Sequence, residues 1–196
     1  MKKNFRTMKL RKILYLPYNL LRFKDFHYSA TVKRCLLITP RCVSIGRNVY
    51  IEKNCRIEGV CSYNNVPFDP SIVFEDNVSV QQNLHLTCAN QIVVGKNTAI
   101  AANVSITDIH HPYEDINTPI EQQDIIVKPV IIGQDCKIYN NAVILPGVHI
   151  GKHCTIGANS VVTHDIPDYC VAVGAPARVI KRYNKKTQMW EKVEGK

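Results

Sequence analysis

Two adjacent histidines, His110 and His111, stand at the head of a segment that also holds Tyr113, Glu114, Asp115, Glu121 and Asp124. An imidazole of ordinary basicity, with a pKa of about 6.5, is largely uncharged at pH 7 and can take a proton from a hydroxyl, which makes such a residue a candidate general base. The same mixture of acids, amides and a tyrosine also suits an ordinary solvated loop, and composition alone leaves both readings open. The eight cysteines offer no competing chemistry. They contain no CxxC pair, no Cys/His cluster has zinc spacing, and their number is below that of a disulfide scaffold, which points to a reducing compartment.

The elements that must position these histidines follow from a repeat of period six. Ile132, Ile138, Ile144, Ile150, Ile156 and Val162 stand six apart without a gap, and four residues after each come Cys136, Ala142, Val148, Cys154, Ser160 and Ile166. The same register runs through Ile45, Ile51 and Ile57, then Phe74, Val80 and Leu86, then Val94, Ile100 and Ile106. Six is a multiple of the strand period, so position i and position i+4 share one face; a helix would rotate successive aliphatics about 120° apart. Units this short cannot bury an apolar face alone and must stack as a solenoid with a continuous internal column. Cys55, Cys61, Cys136 and Cys154 fall at i+4 and read as small core residues, not nucleophiles. The period fails over residues 107–130, the stretch that carries the histidine pair, and loops of that length in a compact domain are usually functional.

In this pattern the chain, from about residue 37 to 182, resembles the hexapeptide-repeat acyltransferases. That resemblance implies a triangular left-handed parallel β-helix with three hexads per coil, a handedness against the usual crossover rule. The stretch NVSITDIHHP (103–112) is similar to the part of galactoside and maltose O-acetyltransferases that ends in their catalytic histidine followed by proline, and a gapless match puts that role on His111. Continuing the hexad register turns His110 inward and His111 outward, toward solvent and a neighbouring chain, which favours the same residue. The resemblance implies acetyl-CoA as donor, direct transfer of acetyl to a sugar hydroxyl without an acyl-enzyme, and a homotrimer with its site between chains. Gly174-Ala175-Pro176-Ala177-Arg178-Val179-Ile180-Lys181 is similar to the family's closing segment, with Arg178 and Lys181 meeting nucleotide phosphates. By the same match Asn140, Ala158 and Thr163 border the pantetheine arm or adenine. His164 departs from the lysine common there. Gln81 and Asn83 lie near the family's sugar-binding positions and retain only the amide character, which leaves the acceptor sugar unnamed.

The charge is concentrated at the ends. Residues 1–34 hold ten bases and one acid, residues 35–177 eight bases and thirteen acids, and residues 178–196 seven bases and two acids, within 196 residues of net charge +9. A uniformly basic nucleic-acid surface is thereby excluded. Residues 9–24 mix Leu10, Ile13, Leu14, Leu20, Leu21 and Phe23 with five bases, a composition that suits either capping of the first coil or peripheral contact with an anionic membrane. No apolar run approaches the roughly 20 residues that span a bilayer, and no signal-peptide cleavage site is found, so a cytoplasmic location is expected. The expected organisation is an amphipathic segment at 1–36, an all-β solenoid at 37–177 and a short C-terminal helix at 178–196. Two rival readings remain. A γ-type carbonic anhydrase would gather His85, His110 and His111 on one zinc, although adjacent histidines make a poor ligand pair, and a non-catalytic membrane adaptor would use residues 1–34.

Overall fold

The hexad aliphatics form one internal column in the computed structural model, which describes residues 16–193. Ile45, Ile51, Ile57, Phe74, Val80, Leu86, Val94, Ile100, Ile106, Ile132, Ile138, Ile144, Ile150, Ile156 and Val162 are all buried, each contributing about 1.5–3 kcal/mol relative to exposure. Alternation along each short strand sends the neighbours outward, so every strand has one core face and one solvent face.

Three parallel sheets form the walls. The first face stacks Asp25–Phe26, Val43–Ile45, Ser71–Phe74, Gln91–Val94, Val130–Ile132 and His149–Ile150. The second stacks Thr31–Val32, Tyr50–Ile51, Ser79–Val80, Ala99–Ile100, Lys137–Ile138 and Thr155–Ile156. The third stacks Leu37–Ile38, Arg56–Gly59, His85–Cys88, Ser105–Thr107, Val143–Ile144 and Val161–Val162. The chain visits the faces in that order on every turn, and Ile132 pairs with Ile150 one coil later, eighteen residues on.

Two of the three corners require a left-handed backbone. Asn48, Asn77, Asn97, Asp135, His153 and Tyr169 lie along one edge and Asn54, Asn83, Asn103, Asn141 and Asn159 along the next, all with positive φ. Asparagine tolerates this conformation best after glycine. Its amide then bonds the next coil: Asn83 donates to Asn103 (2.9 Å), Asn103 to Asn141 (3.1 Å) and Asn141 to Asn159 (2.9 Å).

The solenoid begins earlier than the repeat suggests. Residues 25–38 already form a coil, with Phe26 paired to Ile45, Val32 to Ile51 and Ile38 to Ile57. A helical turn at residues 16–22 precedes it, and Leu16, Phe23 and Phe26 pack on the core, so this part of the front segment covers the open end of the prism. Residues 1–15, which hold six of the ten bases of the front segment, lie outside the described residues.

The expected C-terminal helix is corrected to strands. Ala177–Asn184 pairs antiparallel with Cys170–Gly174 and then with Met189–Lys192. Val179, Ile180 and Tyr183 favour extended backbone, Val179 packs on the core, and Tyr183 faces Trp190 across the ribbon with ring centroids 5.6 Å apart. A helix would have placed all of these bases on one solvated cylinder and left the last coil open.

Candidate active site

Two excursions leave the solenoid and meet over the third face. One is a hairpin, Ser62–Tyr63 with Val66–Pro67, turned by Asn64 and Asn65 in the left-handed conformation. It is inserted between Arg56–Gly59 and Ser71–Phe74. The other is the segment after Ser105–Thr107, which carries the histidine pair.

The second excursion starts from a buried anchor. The Asp108 carboxylate is fully buried and accepts the backbone N–H groups of Ala89, Asn90 and Gln91, each at 2.8 Å, with the Cys88 thiol 3.3 Å away. Burial, and secondarily this carboxylate, push the Cys88 thiol's pKa far up, so it stays protonated and donates. Beyond Asp108 the chain leaves the coil, and Ile109–His110 pairs antiparallel with Ile126–Val127. The tip is braced from within: Gln123 Nε2 donates to the carbonyls of Asp115 (3.0 Å) and Thr118 (2.8 Å). Glu114 and Asp115 titrate below the usual carboxylate range, the first because it accepts backbone N–H bonds, the second chiefly through Thr118 and then Asn117.

Under these excursions lies an open cleft of about 470 Å³. Its floor is the outward side of the third face, with Arg56, Glu58, His85, Thr87, Ser105 and Thr107, and its wall includes Tyr63, Ile109, Ile125 and His111. His110 is not among the lining residues and instead meets Tyr113, ring centroids 6.1 Å apart. The cause is strand alternation: Ile109 and His111 share one side and His110 takes the other. The sequence argument favoured His111 by continuing the coil register through residue 111, whereas the coil ends at Asp108. The outward position of His111 has a different origin. Its ring meets Tyr63 edge-on at 5.4 Å and 77°. Its Nδ1 is buried without a hydrogen-bond partner among the described residues.

The other residues singled out from sequence are spread over two edges. Gln81 and Asn83 are not brought to the cleft; Gln81 is exposed at the end of Ser79–Val80, and the Asn83 amide is engaged in the corner ladder. Asn140 and Ala158 are exposed at that same edge, one coil apart, and the Asn140 carbonyl accepts the Asn159 N–H at 3.0 Å. The turn from Gly174 to Ala177 is tied to this edge through Ser160: Gly174 has φ of +103° and its N–H donates to Ser160 Oγ at 3.1 Å. Only glycine takes that φ without strain. Arg178 follows at the same corner, exposed, donating to the Ala177 carbonyl and without an ion pair among the described residues. Lys181 lies further along the ribbon, opposite Val171 and Lys192. Thr163 and His164 sit at the opposite end of the third face, hydrogen-bonded to each other at 2.7 Å.

Sequence reasoning passed over Tyr63, Asp108, Arg56 and Glu58, and considered His85 only as a metal ligand. The signal for the hairpin was present: sixteen residues lie between Ile57 and Phe74 where the repeat needs five, and Asn64-Asn65 lies inside that gap between Tyr63 and Val66. Cys55, Cys136 and Cys154 are buried at their i+4 positions, but Cys61 has left the coil at the base of the hairpin, half-buried, its sulfur 3.9 Å from that of Cys42. Among the described residues no three side chains of metal-binding type are grouped.

The family described as bacterial transferase hexapeptide (six repeats) matches residues 129–164. The galactoside O-acetyltransferase of Escherichia coli K12 is 32% identical over 163 residues, which cover 83% of this chain and 74% of that protein. This chain belongs to the hexapeptide-repeat acyltransferase family. A second hexapeptide-repeat relative in Escherichia coli K12, named a lipopolysaccharide biosynthesis O-acetyl transferase, WbbJ, is 38% identical over 128 residues. That match covers 62% of this chain and 65% of the relative, so this chain spans less than two thirds of it. The hexapeptide-repeat fold is also that of AntD, an N-acyltransferase from Bacillus cereus solved with dTDP and coenzyme A; it is 19% identical, has a TM-score of 0.71, and the match covers 87% of this chain and 90% of that one. The three-sided solenoid described above is accordingly a left-handed β-helix.

Proposed function

We propose that the protein is an acetyl-CoA-dependent O-acetyltransferase whose acceptor is a hydroxyl of a sugar or a surface-polysaccharide precursor, with His111 as general base. The observation that carries this reading is the position of His111 in the cleft wall, above a floor of hydroxyl, amphoteric and charged side chains, in a chain of hexapeptide-repeat architecture. The relatives named for galactoside and lipopolysaccharide acetylation support the acceptor class.

Acetyl-CoA supplies the acetyl group as a thioester. His111 takes the acceptor's proton as its oxygen attacks the thioester carbonyl; the C–S bond then breaks, coenzyme A leaves as a thiolate, and the imidazolium returns the proton to that sulfur. The base must use its cleft-facing ring nitrogen, and the buried Nδ1 leaves Nε2 for that task. Thr87 and Thr107, whose hydroxyls are 3.0 Å apart, offer hydrogen bonds to a polyol. The donor fits the edge beside Ala158 and the turn from Gly174 to Ala177, where small side chains allow a slender arm to approach the backbone. The guanidinium of Arg178, without an ion pair among the described residues, suits a phosphate at the same corner. Asn140 belongs to this edge, Lys181 extends it, and Thr163 and His164 would serve from the far end of the face.

The donor edge and His111 lie on opposite margins of the third face, which supports a site completed by a neighbouring copy in a homotrimer. Tyr18, Leu20 and Leu21, exposed beside Arg22 and Lys24 in a strongly basic front segment, support peripheral contact with the cytoplasmic leaflet. No helix among the described residues is long and apolar enough to cross a membrane.

The test is transfer of label from acetyl-CoA to glycan acceptors by the parent, His111→Ala and His110→Ala. His111→Ala should lower kcat by about 10²–10⁴ with donor affinity retained, and His110→Ala should cost far less. Equal activity of parent and His111→Ala would remove the base assignment. Recovery of all protein in the supernatant after sedimentation with phosphatidylserine vesicles would remove the membrane contact.

A further inference from the structure

The hairpin at residues 62–67 interrupts the solenoid at a point where the hexad pattern needs no insertion. A two-stranded ribbon of this size is marginal in water and persists only through contacts outside itself. Those contacts run to the histidine-bearing excursion. The Tyr63 hydroxyl lies 2.8 Å from the Glu121 carbonyl and 3.0 Å from Glu121 Oε2, and donates to this pair of acceptors. The Asn64 amide donates to the carbonyls of Glu121 (3.3 Å) and Gln123 (3.2 Å). Tyr63 therefore holds the far arm of the excursion through its hydroxyl while its ring meets the His111 ring edge-on.

That second contact matters because His111 lacks the usual orienting device. A working imidazole is normally fixed by a hydrogen bond at the nitrogen that does not face substrate. Here Nδ1 is buried with no such partner among the described residues, so within one chain the ring is oriented by packing. The Tyr63 ring is the aromatic surface against it. An aromatic pair in this geometry is favourable beyond its buried area, which biases one rotamer of a side chain that is otherwise untethered.

We infer that Tyr63 is a positioning residue for His111: its ring fixes the imidazole toward the cleft, and its hydroxyl holds the excursion closed on that arrangement. The inference rests on His111 being the base. A misplacement of about 1 Å in a reacting group can cost 10²-fold in rate, so a residue that touches no substrate can still govern kcat. The hairpin is then part of the catalytic apparatus, grown from the coil below to reach the loop of the coils above.

The experiment compares Tyr63→Phe, Tyr63→Ala and His111→Ala by steady-state kinetics with labelled acetyl-CoA, and by hydrogen exchange at residues 112–124. Tyr63→Ala should lose at least about tenfold in kcat, with KM for acetyl-CoA within about twofold of the parent. Tyr63→Phe keeps the ring and loses the tether, so it should exchange faster at 112–124 yet retain more kcat than the alanine variant. Parental kcat in Tyr63→Ala, with His111→Ala inactive, would overturn the positioning role while leaving the base in place. A loss confined to acceptor KM would also overturn it, since Tyr63 would then be a binding wall. Full activity in His111→Ala would instead remove the base assignment and the positioning role with it. Should Tyr63→Ala fail to fold, Tyr63→Phe combined with Asn64→Ala removes the tether alone. Unchanged exchange and unchanged kcat in that variant would overturn the inference equally.

Discussion

At the scale of single residues, the site depends on a carboxylate that never reaches the cleft. Asp108, itself fully buried, collects three backbone N–H groups and the Cys88 thiol, so the chain leaves the coil from a fixed point. The three residues that follow, Ile109 to His111, alternate in or out of the cleft from that origin. Replacing Asp108 by alanine strips the acceptor from the buried Ala89 N–H and from the less buried N–H groups of Asn90 and Gln91, and a buried donor left unpaired costs about 1–3 kcal/mol. The asparagine variant keeps one carbonyl oxygen and turns an amide N–H₂ toward the donors, and it should be destabilised by about 2–4 kcal/mol, a drop in Tm of roughly 5–15 °C. Thermal unfolding followed by circular dichroism reads this directly. A parental midpoint for Asp108→Asn would mean that the loop is anchored elsewhere, by the Ile109–His110 pairing or by Tyr63.

At the scale of elements, neighbouring coils are tied by backbone ladders and, at a few places, by ionised side chains. Glu52 accepts Lys33 Nζ and Tyr50 Oη, both at 2.7 Å, and the Lys53 N–H at 3.0 Å, so it joins the first coil to the second. Lys33, then the Lys53 N–H and Tyr50 hold its carboxyl at about 2. A carboxylate whose folded pKa is depressed contributes fully above its unfolded value of about 4.3, and the contribution fades as pH falls toward about 2. The parent should therefore lose Tm between pH 4.5 and 2 more steeply than Glu52→Gln. Lys33 is over a third exposed, so the difference should be small, and identical slopes would show that solvent screens the pair completely. The hexad column and its buried i+4 residues could be read from the sequence because a period of six admits one geometry. The C-terminal ribbon could not, since Arg178, Lys181 and Arg182 mask the extended preference of Val179, Ile180 and Tyr183 when only charge is weighed. The first coil was hidden for a related reason: Phe26, Val32 and Ile38 keep the spacing of six, but the basic residues around them drew the eye to the surface. Asn83 carries a second signal, because an asparagine at a left-handed corner is explained by backbone conformation and by its ladder before any sugar is invoked.

At the scale of the whole molecule, the proposed donor edge precedes the strands of the third face while the excursion that carries His111 leaves from their far end, and a flat-sided prism offers long surfaces for self-association. The tip of the histidine-bearing excursion points the same way: Ile116 is 92% exposed and Tyr113 64% exposed. An isoleucine that stands free on a braced loop has lost little by being ordered and gains about 25 cal/mol for each Å² of apolar surface later covered. Cyclic symmetry lets one such contact repeat until the ring closes, and a ring of three is the expected assembly. Sedimentation velocity at micromolar concentration should therefore find a species of three times 22.2 kDa. Ile116→Lys should shift it toward monomer and lower acetyl transfer in parallel, because the donor edge and His111 would no longer face each other across chains. If the parent sediments as a monomer and is fully active, a single chain must bring both margins together by itself.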